Sequence, residues 1–294
     1  MELRQIKYFL AVAKTLNFST AANALCITQG TLSQQIKQLE DEMGTPLFNR
    51  SSHKVSLTEA GEEMLPLAKQ TLTASAECFQ RISDLKKGVA GTLNIGLTAS
   101  FRGIVNEAMK KYIKEYPGVK IQIMYGTSVE LLHMLREHEI DFFLAFKPAT
   151  FYEDLESLPL METELSAVMS KDHPLADKDV LTLKDLERQR IVLPGAGMQA
   201  RKAFDRHVDM DTSGLNICVE INNPHGIIEL VHCTKLIAIV SSLATYYDPS
   251  LKAIPVEGLR RRMTGSVHWL KEYYLKKSAV IFIDILKETV KLRY

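Results

Sequence analysis

Long apolar runs are missing from the 294-residue chain. No stretch of about 20 uninterrupted hydrophobic residues occurs, so no membrane-spanning helix is expected. Cysteine is scarce: Cys26, Cys78, Cys218 and Cys233 lie far apart with no C-x-x-C pair. That spacing argues against a structural zinc site and against a disulfide framework. Neither charge is in excess, since 36 Lys and Arg balance 35 Asp and Glu for a formal net charge of +1. Any affinity for nucleic acid must then come from local placement of basic side chains. The opening Met1-Glu2-Leu3-Arg4-Gln5 holds no uninterrupted apolar core, so no secretory signal and a cytoplasmic location are expected. No G-x-S-x-G elbow, P-loop, H-E-x-x-H or Rossmann fingerprint is present. The expectation is therefore a protein that is not an enzyme, with no metal and no cofactor.

What is present begins with helical spacing of Leu3, Ile6, Phe9, Leu10 and Ala13 over residues 3–14. Ser19 is placed to cap a short helix over 20–25. A tight turn at 26–28 then leads to a helix over 29–42 with Leu32, Ile36 and Leu39 facing inward. Two helices joined by a tight turn and braced by an earlier helix form a helix-turn-helix. Pro46 to Arg50, a polar tip at Ser51-Ser52-His53-Lys54 and alternating Val55 and Leu57 read as a β-wing. Thr58 is a cap candidate, Gly61 is tolerated in the first turn, and a long helix runs to about Lys87. Its stripe Leu65, Ala68, Leu72, Ser75, Phe79 and Ile82 alternates spacings of three and four, as a coiled-coil seam does. The alternative is a helix packed on its own domain. Pro66 kinks that helix or marks its true start.

Gly88 and Gly91 bracket a change to α/β composition. Strands are predicted at 92–97, 119–125, 141–146, 164–170, 190–193, 216–221, 236–240 and 265–270. Helices are predicted at 101–115, 128–138 and 278–291. Such alternation implies parallel sheet with crossover helices.

Several segments stand at fixed offsets in the first third. They are Leu3 with Phe9, Asn17-Phe18-Ser19-Thr20-Ala21-Ala22 with Leu25, and Thr28-Gln29 with Leu32-Ser33-Gln34-Gln35-Ile36-Lys37-Gln38-Leu39-Glu40. Gly44-Thr45-Pro46-Leu47-Phe48-Asn49-Arg50 and Val55-Ser56-Leu57-Thr58-Glu59-Ala60-Gly61 continue them. On these the N-terminal ninety residues closely resemble the LysR-type transcriptional regulators. Gly91 to Gly96, Ile140-Asp141, His173-Pro174-Leu175-Ala176 and Leu183 with Asp185-Leu186 fit the family more loosely. Thr234-Lys235-Leu236 departs from it, standing where the family usually has a Gly-x-Gly turn.

The resemblance implies an α/β architecture in three parts. A winged helix-turn-helix spans 1–58, a linker and dimerisation helix 59–90, and an effector-binding domain 91–294. That domain resembles two-lobed periplasmic binding proteins, with lobe 1 at about 91–162 and 268–294 and lobe 2 at about 163–267. The implied function is sequence-specific DNA binding, switched by a small molecule held between the lobes. A two-fold homodimer on a partly palindromic operator is expected from the few contacts one head offers. Pairing of dimers into tetramers is implied by the resemblance alone.

The second helix of a helix-turn-helix presents its N-terminal exposed residues to base edges. Here Gln29, Ser33 and Gln34 are the base-contact candidates, Thr31 shares their face, and Lys37 lies nearer phosphate. Arg4, Thr20, Arg50, His53 and Lys54 are candidates for phosphate or the minor groove. Ligands of α/β sheets lie beyond the strand C-termini, near helix N-termini that favour anions. Thr98 and Ser100 follow one strand, and Thr127 and Ser128 another; Ser100 and Ser128 match the family's effector-binding hydroxyls. Opposite them stand Gly197 and Met198 in one loop and Asn222 and Pro224 in another, with Arg102 and Arg201 placed to pair with a carboxylate. His173 reads as a loop residue. Two other readings remain: a redox-responsive regulator using Cys218 and Cys233, and a non-regulatory small-molecule-binding protein. Arg260-Arg261-Arg262 is a solvated face or an oligomer contact.

Overall fold

The computed structural model describes residues 1–50, 54–85, 88–147, 150, 152–208, 214–245, 248–259 and 262–292. It divides into two compact units, Met1–Lys87 and Gly88–Tyr294.

The first unit opens with helices α1 (Leu3–Thr15), α2 (Phe18–Ala24) and α3 (Gln29–Met43). They close around Ile6, Phe9, Val12, Ala21, Ala22, Leu32, Ile36 and Leu39, all buried. Asn17, not Ser19, caps α2: its side chain accepts the Thr20 N–H at 2.9 Å. Starting the helix two residues early turns Phe18 into the core, where its ring meets Phe48 edge-on at 5.7 Å. Cys26, in the turn before α3, holds a left-handed φ of 55°. Strands β1 (Phe48–Arg50) and β2 (Val55–Leu57) pair antiparallel from Phe48↔Leu57 to Arg50↔Val55. The wing tip, including His53, lies outside the described residues.

Helix α4 (Glu59–Asp84) is capped by Thr58, whose hydroxyl accepts the Gly61 N–H at 3.0 Å. Pro66 lies inside it and so does not mark its start. The apolar stripe divides in two. Leu65, Ala68 and Leu72 pack on the core of their own unit, whereas Phe79 and Ile82 stand 77% and 61% exposed. Gly61 is required by space rather than tolerated, because a Cβ there would lie 2.2 Å from the Leu47 carbonyl oxygen.

The second unit runs β3 (Gly91–Leu97), α5 (Arg102–Glu115), β4 (Val119–Tyr125), α6 (Ser128–Arg136), β5 (Phe142–Phe146) and β6 (Leu155–Ser170). It continues with α7 (Leu183–Glu187), β7 (Arg190–Pro194), α8 (Gln199–Asp205), β8 (Asn216–Ile221), α9 (Pro224–Cys233) and β9 (Ile237–Ser241). Last come β10 (Leu251–Pro255), β11 (Arg262–Leu270) and α10 (Lys277–Lys291). Among the described residues these strands form a nine-stranded sheet, ordered β4-β3-β5-β11-β6-β9-β7-β8, with β10 against β6. Pairing is parallel within β4-β3-β5 and β9-β7-β8, as the alternation of strands and helices predicts. It is antiparallel along β6 and β11, which join the two halves.

Strand β6 begins nine residues before the predicted 164, and β10 was not anticipated. Leu155 to Met161 are mixed in polarity and hold their place through the ladder to β11. At Thr234-Lys235-Leu236 the backbone needs no left-handed residue: Thr234 is extended, with φ −138°. Its hydroxyl donates to the Leu230 carbonyl and accepts the Leu236 N–H at 3.2 Å, closing the helix end without glycine.

Candidate functional site

The exposed face of α3 is fixed by what its other face buries. Leu32, Ile36 and Leu39 are fully enclosed, so Gly30, Gln34 and Lys37, at helical offsets on the opposite side, face solvent. Ser33 is half-buried. Thr28 caps the helix by accepting the Thr31 N–H at 3.1 Å, and its hydroxyl lies 2.9 Å from that of Thr31. Thr31 is thus turned back on the cap. The Ser19 hydroxyl donates to the amide oxygen of Gln29 at 3.2 Å, tying α2 to α3 and leaving the Gln29 amide N–H₂ directed by that tie.

Around this face the basic candidates differ in their commitments. Arg50 pairs with Glu40 at 2.7 Å and lies 4.8 Å over the Phe18 ring. The same Glu40 carboxylate accepts the Leu47 and Phe48 N–H groups at 2.9 and 3.2 Å, so it anchors the wing as well. Arg4 meets Glu2 at 3.3 Å with both side chains largely exposed. Thr20 is exposed on α2, and Lys54 begins the returning side of the wing. An open groove of about 630 Å³ runs between the end of α3 and the wing, lined by Lys37, Asp41, Pro46 and Arg50 among others.

In the second unit the effector candidates gather at the ends of the parallel strands. The turn Ala99–Phe101 follows β3, with the Thr98 N–H on the Leu144 carbonyl at 2.9 Å and the Phe101 N–H on the Thr98 carbonyl at 3.0 Å. Gly126 donates to the Leu97 carbonyl, which sets the start of α6 beside that turn. Thr127 is spent on a capping box: its hydroxyl takes the Glu130 N–H, and Glu130 accepts the Thr127 N–H at 2.8 Å. The Thr127 N–H and the Thr127 hydroxyl, both donating to it, hold the exposed Glu130 carboxyl below its ordinary value. The hydroxyl oxygens of Thr98 and Ser128 are buried with no protein partner. Ser100 is half-buried in the turn.

Across from these, the loop after β7 packs on the loop after β8. Gly195 donates to Ile221 at 2.8 Å, and a Cβ on it would lie 3.2 Å from Asn222. Gly197 has open space around it, and Met198 is the extended residue that immediately precedes α8. Asn223 caps α9 by accepting the His225 N–H at 2.9 Å, with Pro224 in the first turn. The two sides meet where Arg102, at the start of α5, reaches His225 Nδ1 at 3.3 Å. Because guanidinium only donates, Nδ1 accepts, and Nε2 lies 3.2 Å from a Glu229 carboxylate oxygen. Arg201, by contrast, is committed to Asp205 and Glu220 at 2.7 and 2.8 Å, so it is not free for a carboxylate ligand.

Two features here were not legible beforehand. Ser266 on β11 is fully buried, with an oxygen lacking a protein partner, on the strand next to β5. Thr163, on β6, joins Ser241 and Ser242 through hydroxyl contacts of 3.0 and 2.8 Å. Isolated hydroxyls in apolar strands carry no spacing signal, so only the sheet order brings them to notice.

The remaining candidates are placed as follows. Cys218 is half-buried, donating weakly to the Ile191 carbonyl, and Cys233 is exposed at the end of α9; all four cysteines are free thiols. His173 is buried in a loop, its Nδ1 accepting the Leu175 N–H, and burial pushes its pKa down. Arg262 pairs with Glu162 at 2.9 Å on an exposed surface, while Arg260 and Arg261 lie outside the described residues. No described helix is long and apolar enough to cross a membrane.

Residues 3–62 match the family described as bacterial regulatory helix-turn-helix protein, lysR family. Residues 86–291 match the LysR substrate binding domain. Over 97% of this chain and 94% of the relative, the sequence is 28% identical to the HTH-type transcriptional activator CmpR of Synechocystis sp.. A full-length OxyR from Pseudomonas aeruginosa superposes with a TM-score of 0.69 at 21% identity, covering 99% of this chain and 95% of that one. Full-length CbnR, solved with its target DNA, superposes at 0.64 and 20% identity over 98% and 100% of the two chains. At these identities the two structures speak for the fold.

Proposed function

Given that the chain belongs to the LysR-type transcriptional regulators, we propose that it reads a partly palindromic operator as a homodimer that pairs further into a tetramer. An anionic small molecule held between its two lobes switches that binding. The head spans residues 1–58, the dimerisation segment, with α4 in it, 59–90 and the effector domain 91–294, and the protein acts in the cytoplasm.

The observation that carries the DNA-reading part is the division of α3, with one face sealed into the core and the other bare to solvent. Gln34 and the amide of Gln29 can each bond an adenine, and Ser33 can meet several bases. Lys37 and Lys54 serve phosphate, which positions without specifying. Arg50, already neutralised by Glu40, acts first through the wing it holds. Dimerisation is supported by Phe79 and Ile82, which α4 leaves uncovered within one chain.

The anionic effector is supported by two helix N-termini, those of α5 and α9, which meet through Arg102 and His225. The candidate contacts for it are Thr98, Ser100, Ser128, Gly197, Met198, Asn222 and Pro224, which follow the ends of the parallel strands. Thr98 and Ser128 bring buried hydroxyls without protein partners, a state that a bound acceptor or water relieves. Thr127 contributes by holding the start of α6 in place.

Fluorescence anisotropy with duplexes drawn by selection from random sequence tests the proposal. Affinity should fall with salt on every duplex and be at least about a thousandfold tighter on the selected one. Equal, weak binding to selected and scrambled duplexes would overturn the sequence-reading role. Carboxylate and phosphate compounds screened on the specific complex should shift its affinity, and Arg102→Ala should abolish that shift while leaving basal DNA binding unchanged.

A further inference from the structure

Several glycines in this chain have visible reasons to be glycine, and Gly30, on the exposed face of α3, has none within the chain. Gly44, ending that helix, takes a left-handed φ of 72°. Gly61, Gly96 and Gly265 have no room, since a Cβ on each would lie 2.2, 2.6 and 2.7 Å from the nearest atom. Gly30 is different. It lies inside α3 with no left-handed φ, and a Cβ there would meet only the Thr28 hydroxyl, at 3.9 Å. Neither backbone conformation nor packing within the chain asks for glycine, while a helical glycine costs up to about 1 kcal/mol relative to alanine.

The side chains flanking Gly30 are also drawn away from it. Gln29 is tied sideways to Ser19 at 3.2 Å, and Thr31 folds back on Thr28 at 2.9 Å. The first turn of α3 therefore presents bare backbone between two restrained neighbours. Gly30 also shares its face with Gln34 and Lys37, all three exposed. A helix that pays in stability for a flat spot at that position has its reason outside the molecule.

We infer that Gly30 is a specificity-determining residue. Its bare Cα lets the first turn of α3 approach a base edge in the major groove to van der Waals contact, at a distance any side chain would forbid. This rests on the DNA-reading proposal above and adds to it a reader with no side chain, acting by shape. A base edge, unlike a phosphate, makes the contact dependent on sequence. The inserted methyl of alanine should therefore penalise the selected duplex and spare others.

The test compares wild type, Gly30→Ala and Gly30→Leu as full-length proteins, on the duplex selected by wild type and on its scrambled counterpart. Both variants should keep or raise the urea midpoint of the protein, because alanine and leucine favour helix. Gly30→Ala should bind the selected duplex at least tenfold more weakly and Gly30→Leu more weakly still, with scrambled-duplex affinity unchanged. Binding of the selected duplex within twofold of wild type would overturn the inference. An equal loss on both duplexes would overturn it too, placing a phosphate there instead. Should wild type select no duplex at all, the DNA-reading proposal falls and this inference with it.

Discussion

Replacing Gly61 by alanine isolates the join between the wing and the long helix. The added Cβ would lie 2.2 Å from the Leu47 carbonyl oxygen and 3.0 Å from Leu57 Cδ2. Ordinary contact begins near 3.4 Å, so one side must retreat by more than an ångström. Leu47 is poorly free to do so: its carbonyl accepts the Thr58 N–H at 3.0 Å and its own N–H is held by Glu40 at 2.9 Å. Retreat of the wing gives up one neutral hydrogen bond, worth about 1 kcal/mol, and weakens one to a charged acceptor, worth about 1.5–3. Retreat of the helix gives up the Thr58 cap instead, about 1 kcal/mol, with overpacking strain of about 1–3 remaining. Against either, alanine returns up to about 1 kcal/mol of helix propensity. The net loss should be about 1–3 kcal/mol, read as a lowered urea midpoint of the full-length protein. Gly30→Ala, with the same propensity gain and open space, is the matched control. DNA affinity should fall as well, because Arg50 and Lys54 ride on the displaced hairpin. Gly61→Ala as stable as wild type would refute the reasoning.

Three further outcomes follow from groups elsewhere in the fold. Asp141 pairs with Lys276 at 2.7 Å and accepts the Asn94 N–H at 2.8 Å, with its side chain 8% exposed. Asp141→Ala should cost about 3–5 kcal/mol by leaving Lys276 uncompensated, and Asp141→Ala with Lys276→Met should recover part of it; equal losses in single and double variants would contradict this. His268 is held neutral between the Ser157 hydroxyl and the Ala145 carbonyl, and burial pushes its pKa from 6.5 down to about 4. The unfolded chain then binds the extra proton first, so stability is full above pH 6.5 and declines toward pH 4 by roughly 3 kcal/mol. His268→Gln should flatten that part of the urea-midpoint profile, and an unchanged profile would assign the decline to other groups. Cys26 holds a left-handed φ, which costs a non-glycine residue roughly 1–2 kcal/mol. After the entropy that glycine forfeits, Cys26→Gly should gain about 0.5–1 kcal/mol in urea unfolding; a loss would mean the turn is not strained.

Legibility from sequence followed the reach of the interactions. Helices α1 and α3, the wing strands and the Thr58 cap rest on periodicity and local hydrogen bonds, and the sequence reading placed them within a residue or two. Asn17 displaced Ser19 as a cap because burial of Phe18 decided the helix start, a tertiary effect. The seam on α4 reads as uniform in sequence, yet only tertiary packing tells Leu65, Ala68 and Leu72 apart from Phe79 and Ile82. The first half of β6 escaped notice because its register comes from β11, about a hundred residues away. Among candidate ligand contacts, Arg201 looked available until Asp205 and Glu220 were seen to hold it. Ser266 offered no signal at all, since a serine between Gly265 and Val267 is silent without its strand neighbours.

The sheet order has a consequence for how the chain assembles during synthesis. Strand β11 lies between β5 and β6, and α10 covers the same half by setting Phe282 against Tyr112 at 5.1 Å. Both elements are made after all the other strands of the sheet, so the half begun by β3 stands open, with an unpaired edge along β5, until β11 and α10 have been made. The segment carrying β7, β8 and β9 is contiguous and is already complete by then. The later-begun half is therefore expected to fold first and to template the earlier one. Truncation near residue 260, before β11, should leave a chain with its middle formed and its beginning adhesive, prone to pair along the exposed edge.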